Sequence, residues 1–297
     1  MFKGVETMKK ILYSTILATM MFMSVGSYAQ NVYTDEQVKL CENELVCTSN
    51  GKLLTGIVKM FYPNGNLWFE ITYKDGKEEG LWKKYYENGN LEREATYKDG
   101  KLEGLVKRYY NNGNLKAEET YKDGKEEGLG KLYYPNGNLW SEITYKDGKL
   151  EGLVKRYYEN GNLKREGTYK DGKEEGLWKD YYENGNLQYE MTFKDGKQEG
   201  LVKEYYENGN LKSEGTFKDG KAEGLVKGYY PNGNLKSEIT YKDGKPEGLW
   251  KGYYENGNLE EEILFKKGEA ISGFMYDIFG KKTPMTNAHL HNRTKNL

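Results

Sequence analysis

The sequence repeats every 24 residues, and this period constrains the fold more than any other feature. An Asn-Gly dipeptide occurs nine times at this spacing, and an Asp-Gly dipeptide alternates with it eight times. Residues 80–103 form a representative unit, in which the two dipeptides are Asn88-Gly89 and Asp99-Gly100. Both dipeptides favour tight type I′ hairpin turns, because these residue types tolerate the positive φ angles that such turns require.

The segments between the turns have the composition of β-strands. They are runs of six or seven residues rich in Tyr, Leu, Val, Trp and Thr, and none has the periodicity of an amphipathic helix. The sequence therefore predicts an all-β fold, an elongated single-layer antiparallel β-meander built from tandem 24-residue hairpin repeats. About twenty strands spaced roughly 4.8 Å apart would extend over about 95 Å.

The Asn-Gly turn also predicts the strand register. If the dipeptide forms a two-residue loop, Tyr86 lies opposite Leu91 and Lys83 lies opposite Glu94. Lysine and glutamate occupy the latter two positions in all nine repeats, so every hairpin would contain an oppositely charged cross-strand pair. Such a repeated pair holds the register against slippage.

Alternation along the strands assigns each residue to one of two faces. Lys83, Glu94 and Glu92 share one face, and Trp82 and Ala95 share the other. The second face is predicted to be the core side, because its positions are more often Val, Trp or Ile in the other repeats. A single sheet must cover such a face by twisting on itself or with another layer, which could be a second copy of the chain or a partner.

Residues 1–29 have the features of a signal peptide. Two lysines precede an apolar run at residues 11–25, and a small-x-small cleavage pattern ends at Ala29. A largely apolar run of fifteen residues is short for a membrane span, which favours cleavage over a membrane anchor. The sequence predicts export to the periplasm, the outer surface or the medium, with no transmembrane segment left after cleavage.

Both ends of the mature chain depart from the repeat. Residues 30–50 are predicted to cap the array of repeats, which occupies residues 51–265. Residues 266–282 contain a degenerate C-terminal repeat, and residues 283–297 form a polar tail that we expect to be frayed. Atypical terminal units are expected, since an array of identical hairpins would otherwise end in an open sheet edge.

Two cysteines, Cys41 and Cys47, lie in the predicted cap. An exported compartment permits a disulfide between them, and the five intervening residues can close a small loop if the chain turns back. Two free thiols or a redox pair are the alternatives, and the spacing alone does not decide among the three.

The sequence contains no pattern that indicates catalysis. Histidine, the usual general base, occurs only at His289 and His291 in the polar tail. An active site needs one asymmetric arrangement of groups, whereas the carboxylates here recur equally in every repeat. We therefore predict no enzyme activity, no cofactor and no metal site. The 45 basic residues balance 46 acidic ones, which argues against a nucleic-acid partner.

Some positions on the predicted core face vary among otherwise constant repeats. The positions equivalent to Lys84 and Arg93 are basic in the N-terminal half of the array and neutral to acidic in the C-terminal half. One interpretation is a polarised stripe that binds a protein partner or another copy of the chain, and the other is drift at tolerant surface positions. The candidate partner-binding residues are Lys84, Arg93, Arg108, Arg156, Arg165, Trp82, Trp178 and Trp250.

The five tryptophans and the rows of tyrosine allow a second kind of partner. Aromatic surfaces bind carbohydrate by stacking, so a glycan-binding or cell-surface adhesion module is an alternative to a protein-binding scaffold. Tryptophan occurs in only some of the repeats, so the same pocket would not be rebuilt in each unit. Packing in the core is the simpler explanation of these aromatic residues.

Each unit carries Tyr-Tyr-x-Asn-Gly-Asn followed by Tyr-x-x-Gly-Lys-x-x-Gly, as at residues 85–90 and 97–104. This pattern resembles the MORN-repeat variant family over roughly residues 51–280. The resemblance implies a β-meander rod that serves as a protein–protein or membrane-associated scaffold. Similar bacterial chains are often labelled antitoxin-like, which adds an antitoxin or immunity role as a further alternative.

Overall fold

A computed structural model describes residues 31–42 and 45–295 of the chain. The predicted signal peptide, residues 1–29, lies outside these residues. The described chain contains twenty-five strands, a short 3₁₀ turn at Asp35–Gln37 and one α-helix, α1, at Asn287–Lys295. The strands are β1 Val32–Thr34, β2 Val38–Leu40, β3 Val46–Thr48, β4 Gly56–Phe61, β5 Leu67–Lys74, β6 Lys77–Tyr85, β7 Leu91–Lys98, β8 Lys101–Leu102, β9 Gly104–Tyr109, β10 Leu115–Lys122, β11 Lys125–Glu126, β12 Gly128–Tyr133, β13 Leu139–Lys146, β14 Lys149–Tyr157, β15 Leu163–Lys170, β16 Lys173–Tyr181, β17 Leu187–Lys194, β18 Lys197–Tyr205, β19 Leu211–Lys218, β20 Lys221–Tyr229, β21 Leu235–Lys242, β22 Lys245–Tyr253, β23 Leu259–Lys266, β24 Glu269–Tyr276 and β25 Lys282–Pro284.

Twenty-three of these strands form one long sheet in meander order, and β2 and β3 form a separate hairpin. The predicted all-β meander of hairpin repeats is confirmed. One detail differs, because β1 pairs with β4 in parallel and makes the sheet mixed, whereas the paired neighbours from β4 to β25 are antiparallel. Strand β1 therefore covers the edge of the first repeat, an edge that would otherwise present unpaired backbone groups.

The Asp-Gly dipeptides form the predicted two-residue turns. Asp99 and Gly100 both have positive φ, at 51° and 79°, and Lys98 pairs directly with Lys101. The amide of Asp99 donates a hydrogen bond of 2.8 Å to the side chain of Glu79, which belongs to the preceding hairpin. Each turn is therefore tied to its neighbour along the same edge of the sheet.

The Asn-Gly dipeptides form a different turn from the one predicted. Gly89 has a φ of +88°, but Asn88 is not in the left-handed region, and the backbone hydrogen bonds enclose a three-residue loop between Tyr86 and Asn90. The predicted pairing of Tyr86 with Leu91 is therefore wrong, and Tyr85 lies opposite Leu91 instead. A β-bulge directly after this pair restores the predicted register for the rest of the hairpin.

The restored register places Lys83 opposite Glu94, as the repeat predicts. Glu94 also lies opposite Lys107 of the next hairpin. The same alternation continues across the sheet, so that lysine and glutamate form one unbroken Lys–Glu row from Lys59 to Glu262. The lysines and glutamates therefore pair between repeats as well as within each hairpin, and this fixes the register throughout the array.

Tyrosines connect successive repeats through two sets of hydrogen bonds. The first tyrosine of a repeat, such as Tyr133, donates to the row glutamate of the preceding repeat, Glu118, at 2.9 Å. The second tyrosine, such as Tyr86, donates to the backbone carbonyl of Tyr109 in the next repeat at 2.7 Å. Burial, the hydrogen bond to Glu118 and the charge of this carboxylate raise the pKa of Tyr133 to about 12.

The other face is the buried one. Ala95 and Val106 are almost completely buried, which agrees with the predicted core side. The line of paired residues on this face that includes Trp82, Ala95, Gly167 and Trp178 is here called the core row, and in it the indole of Trp178 lies directly over Gly167. The row of leucines on the Lys–Glu side, by contrast, is 39% exposed at Leu81 and 53% exposed at Leu177.

Both ends of the array are capped. A disulfide joins Cys41 to Cys47 in the β2–β3 hairpin, and the amide of Val46 donates to the carbonyl of Gly76 in the first repeat at 2.9 Å. At the other end residues 287–295 form α1, although we expected a frayed tail. The helix forms because Leu290 finds a buried site on the core face, at 8% exposure, which the polar composition of the tail does not reveal.

Candidate binding surface

The positions that vary between repeats lie side by side across the core face. Each equivalent of Lys84 pairs with the equivalent of Arg93 in its own hairpin, and the latter pairs with the first position of the following hairpin. The result is one continuous line of residues, here called the variable row. In order along the sheet its members are Met60, Phe69, Lys84, Arg93, Arg108, Ala117, Leu132, Ser141, Arg156, Arg165, Asp180, Tyr189, Glu204, Ser213, Gly228, Ser237, Gly252 and Glu261.

The first basic cluster of the variable row has partners within the protein. Lys84 forms an ion pair of 2.7 Å with Glu92, and Arg108 forms one of 2.8 Å with Glu119. Arg93 lies over the ring of Trp82, with the guanidinium carbon 5.3 Å from the ring centroid. These basic side chains hold the sheet together, so less of their charge is available to a partner.

Glu92 lies on a different face from the one predicted. It belongs to the bulge after the Asn-Gly turn, and its side chain reaches Lys84 instead of lining up with Lys83. In other repeats the same position holds lysines that stack on the second tyrosine, as Lys164 does at 5.2 Å from the Tyr158 ring. The bulge therefore adds a further set of side chains to the surface beside the variable row.

The second basic cluster forms a pocket of about 290 Å³. Arg165 is held at the pocket wall by an ion pair of 2.8 Å with Glu174 and by stacking over Trp178 at 4.5 Å. Arg156 is exposed, and among the described residues it has no ion-pair partner. The pocket is lined by Trp140, Arg156, Tyr158, Lys164, Arg165, Asp180, Tyr181 and Gln188.

Asp180 lies at the end of this basic pocket. Burial raises the pKa of its carboxyl above the ordinary value, although the charges of Arg165 and Arg156 oppose the rise. Its Oδ1 atom is buried and lies 3.5 Å from Nε of Arg165, without a hydrogen bond between them. The basic pocket thus retains positive charge at Arg156 and Lys164, next to a carboxylate that is only partly satisfied.

The candidate tryptophans lie on the core face, where their positions in the repeat were predicted to be. Trp178 is 1% exposed and packs in the core row, so its prediction as a partner-binding residue is wrong. Trp82 and Trp250 are half-buried and lie beneath Arg93 and Arg293. The indole of Trp178 presents no surface to a partner, because it fills the space above Gly167 on the adjoining strand.

The most exposed tryptophans were missed by the sequence analysis. Trp68 is 38% exposed and Trp140 is 43% exposed, and their rings lie 5.7 Å from Tyr62 and 6.4 Å from Tyr134. Both occupy the bulge position equivalent to Glu92. The sequence marks this position, because it directly follows the Asn-Gly-Asn-Leu motif in each repeat. The direction of its side chain, however, depends on the bulge, which the sequence does not reveal.

A second depression, of about 540 Å³, lies further along the same face. It is here called the apolar groove, because aromatic and aliphatic side chains form most of its wall while Gly215 and Ser213 leave its floor low. Burial tends to raise the pKa of Glu204 at its end, but hydrogen bonds from Lys212 and Tyr189 outweigh this effect and lower it. The residues that line the groove are Asp180, Tyr189, Met191, Gln198, Val202, Glu204, Ser213, Glu214, Gly215, Phe217, Ala222, Val226 and Tyr241.

The described part of the chain has neither a metal-binding cluster nor a membrane-spanning helix. Residues 31–42 and 45–295 contain no group of three or more side chains placed to hold a metal ion. No helix within those residues has the length and apolar character to cross a bilayer. The basic pocket and the apolar groove both lie beside the variable row.

The fold and surface define a class of protein, a repeat scaffold in which a constant β frame displays one variable row. The chain belongs to the MORN repeat variant family, whose model matches nine tandem segments that together cover more than half of the chain. The matched residues are 54–75, 78–99, 102–123, 126–147, 150–171, 174–195, 198–219, 222–243 and 246–267. No curated protein matches the sequence significantly.

Two solved structures show distant likenesses to this chain. A TcdB2-TccC3-Cdc42 structure is 14% identical over 79% of this chain and 15% of its own, with a TM-score of 0.19. A Photorhabdus luminescens Tc holotoxin pore that carries a mutation in TccC3 is 15% identical over 80% of this chain and 18% of its own, with a TM-score of 0.16. The chain spans less than a fifth of either structure.

Proposed function

We propose that this protein is an exported, non-enzymatic scaffold that binds a protein partner through the variable row. The observation that carries the proposal is the basic pocket around Arg156. The repeated residues of the frame are engaged with one another, as in the Lys–Glu row, whereas Arg156 projects from the variable row without an ion-pair partner among the described residues. Export is supported by the apolar, lysine-flanked segment at residues 1–29.

The chemistry of the basic pocket favours an acidic partner segment. Arg156 and Lys164 supply positive charge, and Trp140 and Tyr158 supply aromatic walls. A carboxylate beside an aromatic or aliphatic residue would satisfy both parts of the pocket. Arginine and aromatic residues are also the types most enriched at protein–protein interfaces.

Charge reversal in the pocket tests the proposal. The variant Arg156→Glu/Lys164→Glu changes two exposed residues and leaves the half-buried ion pairs of Arg165 intact. We expect it to lose the protein captured by the wild-type chain from periplasmic and surface fractions. The control is Lys146→Glu/Lys170→Glu, which makes the same change in net charge at exposed turn positions. Equal capture by the two variants would contradict the proposal.

A glycan ligand is the second candidate, and Trp140 is the observation that favours it. Its indole is 43% exposed and lies beside the basic pocket, so it could stack on a sugar ring while Arg156 binds an acidic substituent. Binding to a glycan array that is lost in Trp140→Ala would support this candidate. Retained capture of protein by the same variant would favour the protein partner.

A further inference from the structure

The apolar groove exists because one bulky side chain is missing from the core row. Gly167 has Val154 on one side, and Trp178 covers it from the other. Gly215 has Val202 on one side, but the covering position holds Val226. The same backbone site is thus filled by an indole in one repeat and left partly open two repeats later, which gives the groove its low floor.

The C-terminal helix α1 shows how an element outside the sheet can cover the core face. Leu290 packs onto Ile263 and Phe265 at the last repeats and is only 8% exposed. Three residues later, Arg293 contacts Glu261 of the variable row and lies 5.6 Å from the ring centroid of Trp250. The helix therefore covers the core face with two side chains one helical turn apart, of which one is apolar and the other is basic.

The apolar groove offers the same two features. Its wall contains Met191, Val202 and Phe217, which match the aliphatic and aromatic surface beneath Leu290. Its end contains two carboxylates, those of Asp180 and Glu204. A basic group there would pair with the carboxylate of Asp180, much as Arg293 pairs with Glu261.

We infer that the apolar groove binds a short amphipathic helix of a partner protein, which inserts an apolar side chain over Gly215 and directs a basic residue one turn away towards Asp180. This inference rests on the proposed function, since it names the partner element for a second part of the same face. The basic pocket on the other side of Asp180 would receive an acidic segment, so the two sites have opposite charge preferences.

The variant Val226→Trp tests the inference in the full chain. It reproduces at Gly215 the arrangement of Trp178 over Gly167, and it therefore fills the groove with a pair that the sheet already accommodates. The control is Leu225→Trp, which adds the same side chain at the adjacent residue, where Leu225 is 48% exposed on the opposite face. A second filling variant, Ala222→Leu, copies the leucine found at the equivalent positions Leu102 and Leu150.

The probe is a fluorescent, lactam-bridged helical peptide with the sequence of residues 287–295, titrated by anisotropy. We expect saturable binding to the wild type, at least tenfold weaker binding to Val226→Trp and Ala222→Leu, and unchanged binding to Leu225→Trp. A peptide in which the residue corresponding to Arg293 is changed to glutamate should also bind less tightly.

Two results would overturn the inference. One is the absence of saturable binding to the wild type below about 1 mM, and the other is equal binding to Val226→Trp and the wild type. The titration needs no partner from a cell fraction. A failed capture experiment at Arg156 and a failed peptide titration at the groove are therefore separate results, and each identifies which proposal is wrong.

Discussion

The indole of Trp178 lies over Gly167 so closely that a β-carbon at Gly167 would overlap the ring. We predict that Gly167→Ala destabilises the repeats around β15 and β16 by about 1–3 kcal/mol, the usual cost of overpacking a well-filled site. Native-state hydrogen exchange of the β15 and β16 amides measures this change as a lower free energy of local opening.

The matched control for this substitution is the pair Gly167→Ala/Trp178→Val. Valine at position 178 removes the ring that the new β-carbon would meet, so Trp178→Val should offset much of the cost of Gly167→Ala. The double-mutant cycle should give a coupling free energy of about 0.5–3 kcal/mol between the two sites. Additive effects would show that the close approach of the ring is not the cause.

Glu142 tests the Lys–Glu row. It lies between Lys131 and Lys155 and accepts a hydrogen bond of 3.0 Å from the hydroxyl of Tyr157. Glu142→Gln keeps a hydrogen-bond acceptor and should lower the free energy of unfolding by about 0.2–1 kcal/mol. Glu142→Lys should cost more, because it places three like charges in line. The free energies of unfolding of the two variants, measured with urea, should differ less at 1 M salt, where the screening length is about 3 Å.

The tyrosines bound to row glutamates predict an alkaline transition. Burial, followed by the hydrogen bond to Glu142 and the charge of this carboxylate, raises the pKa of Tyr157 to about 12, and Tyr181 and Tyr253 shift in the same way to the same value. An unfolded tyrosine ionises near pH 10. The stability that these groups contribute is therefore complete below about pH 10 and is lost as the pH rises through about 12.

Thermal midpoints and tyrosinate absorbance should together show this alkaline loss. The midpoint should stay level up to about pH 10 and then fall, while the hydroxyls of this set ionise later than free tyrosine. Tyr157→Phe removes one late-titrating group and should reduce the late absorbance change in proportion. A midpoint that falls well before the onset of tyrosine ionisation would contradict the assignment.

The docking of α1 depends on Leu290. We predict that Leu290→Asp releases the helix, because a carboxylate cannot replace the buried side chain next to Ile263 and Phe265 without a large desolvation cost. Trp250 fluorescence should shift to the red, and the α1 amides should lose protection from hydrogen exchange. His291→Asp makes an acidic substitution at the next, exposed residue and should leave both signals unchanged.

Much of this architecture is predictable from the period of the sequence. The spacing of the glycine turns and the repetition of lysine and glutamate predicted that Lys83 faces Glu94 and that Ala95 is buried, and both hold in the structure. These predictions succeed because strand alternation is strict. One correct pair assigns every other residue of its strand to a face.

The errors arise where the backbone departs from that alternation. The Asn-Gly turn takes one more residue than a type I′ turn, and the following bulge turns Glu92 towards Lys84. A dipeptide does not distinguish the two kinds of turn, because the side chain of Asn88 bonds to the amide of Asn90 and to the neighbouring turn at Asn111. The second of these bonds joins two repeats, and local propensity does not contain it.

The candidate site was only partly predictable for the same reason. The variable positions were identified in hairpins, but their union into one row, and the pockets beside Arg156 and Gly215, depend on how successive hairpins pair. The burial of Trp178 depends on the glycine opposite it. The docking of α1 depends on Leu290, a single apolar residue in a polar segment, and one such residue gives no periodic signal.

The unbroken Lys–Glu row has a consequence for how a chain of this kind can change in length. Removing or duplicating one complete 24-residue unit rejoins the row with the same partners, and the new junction resembles every other junction. An excision that is not a whole number of units would leave lysine beside lysine or transfer buried side chains to the solvent. Growth and shrinkage are thus confined to whole increments, and recombination between neighbouring units supplies such increments without the need for a new fold.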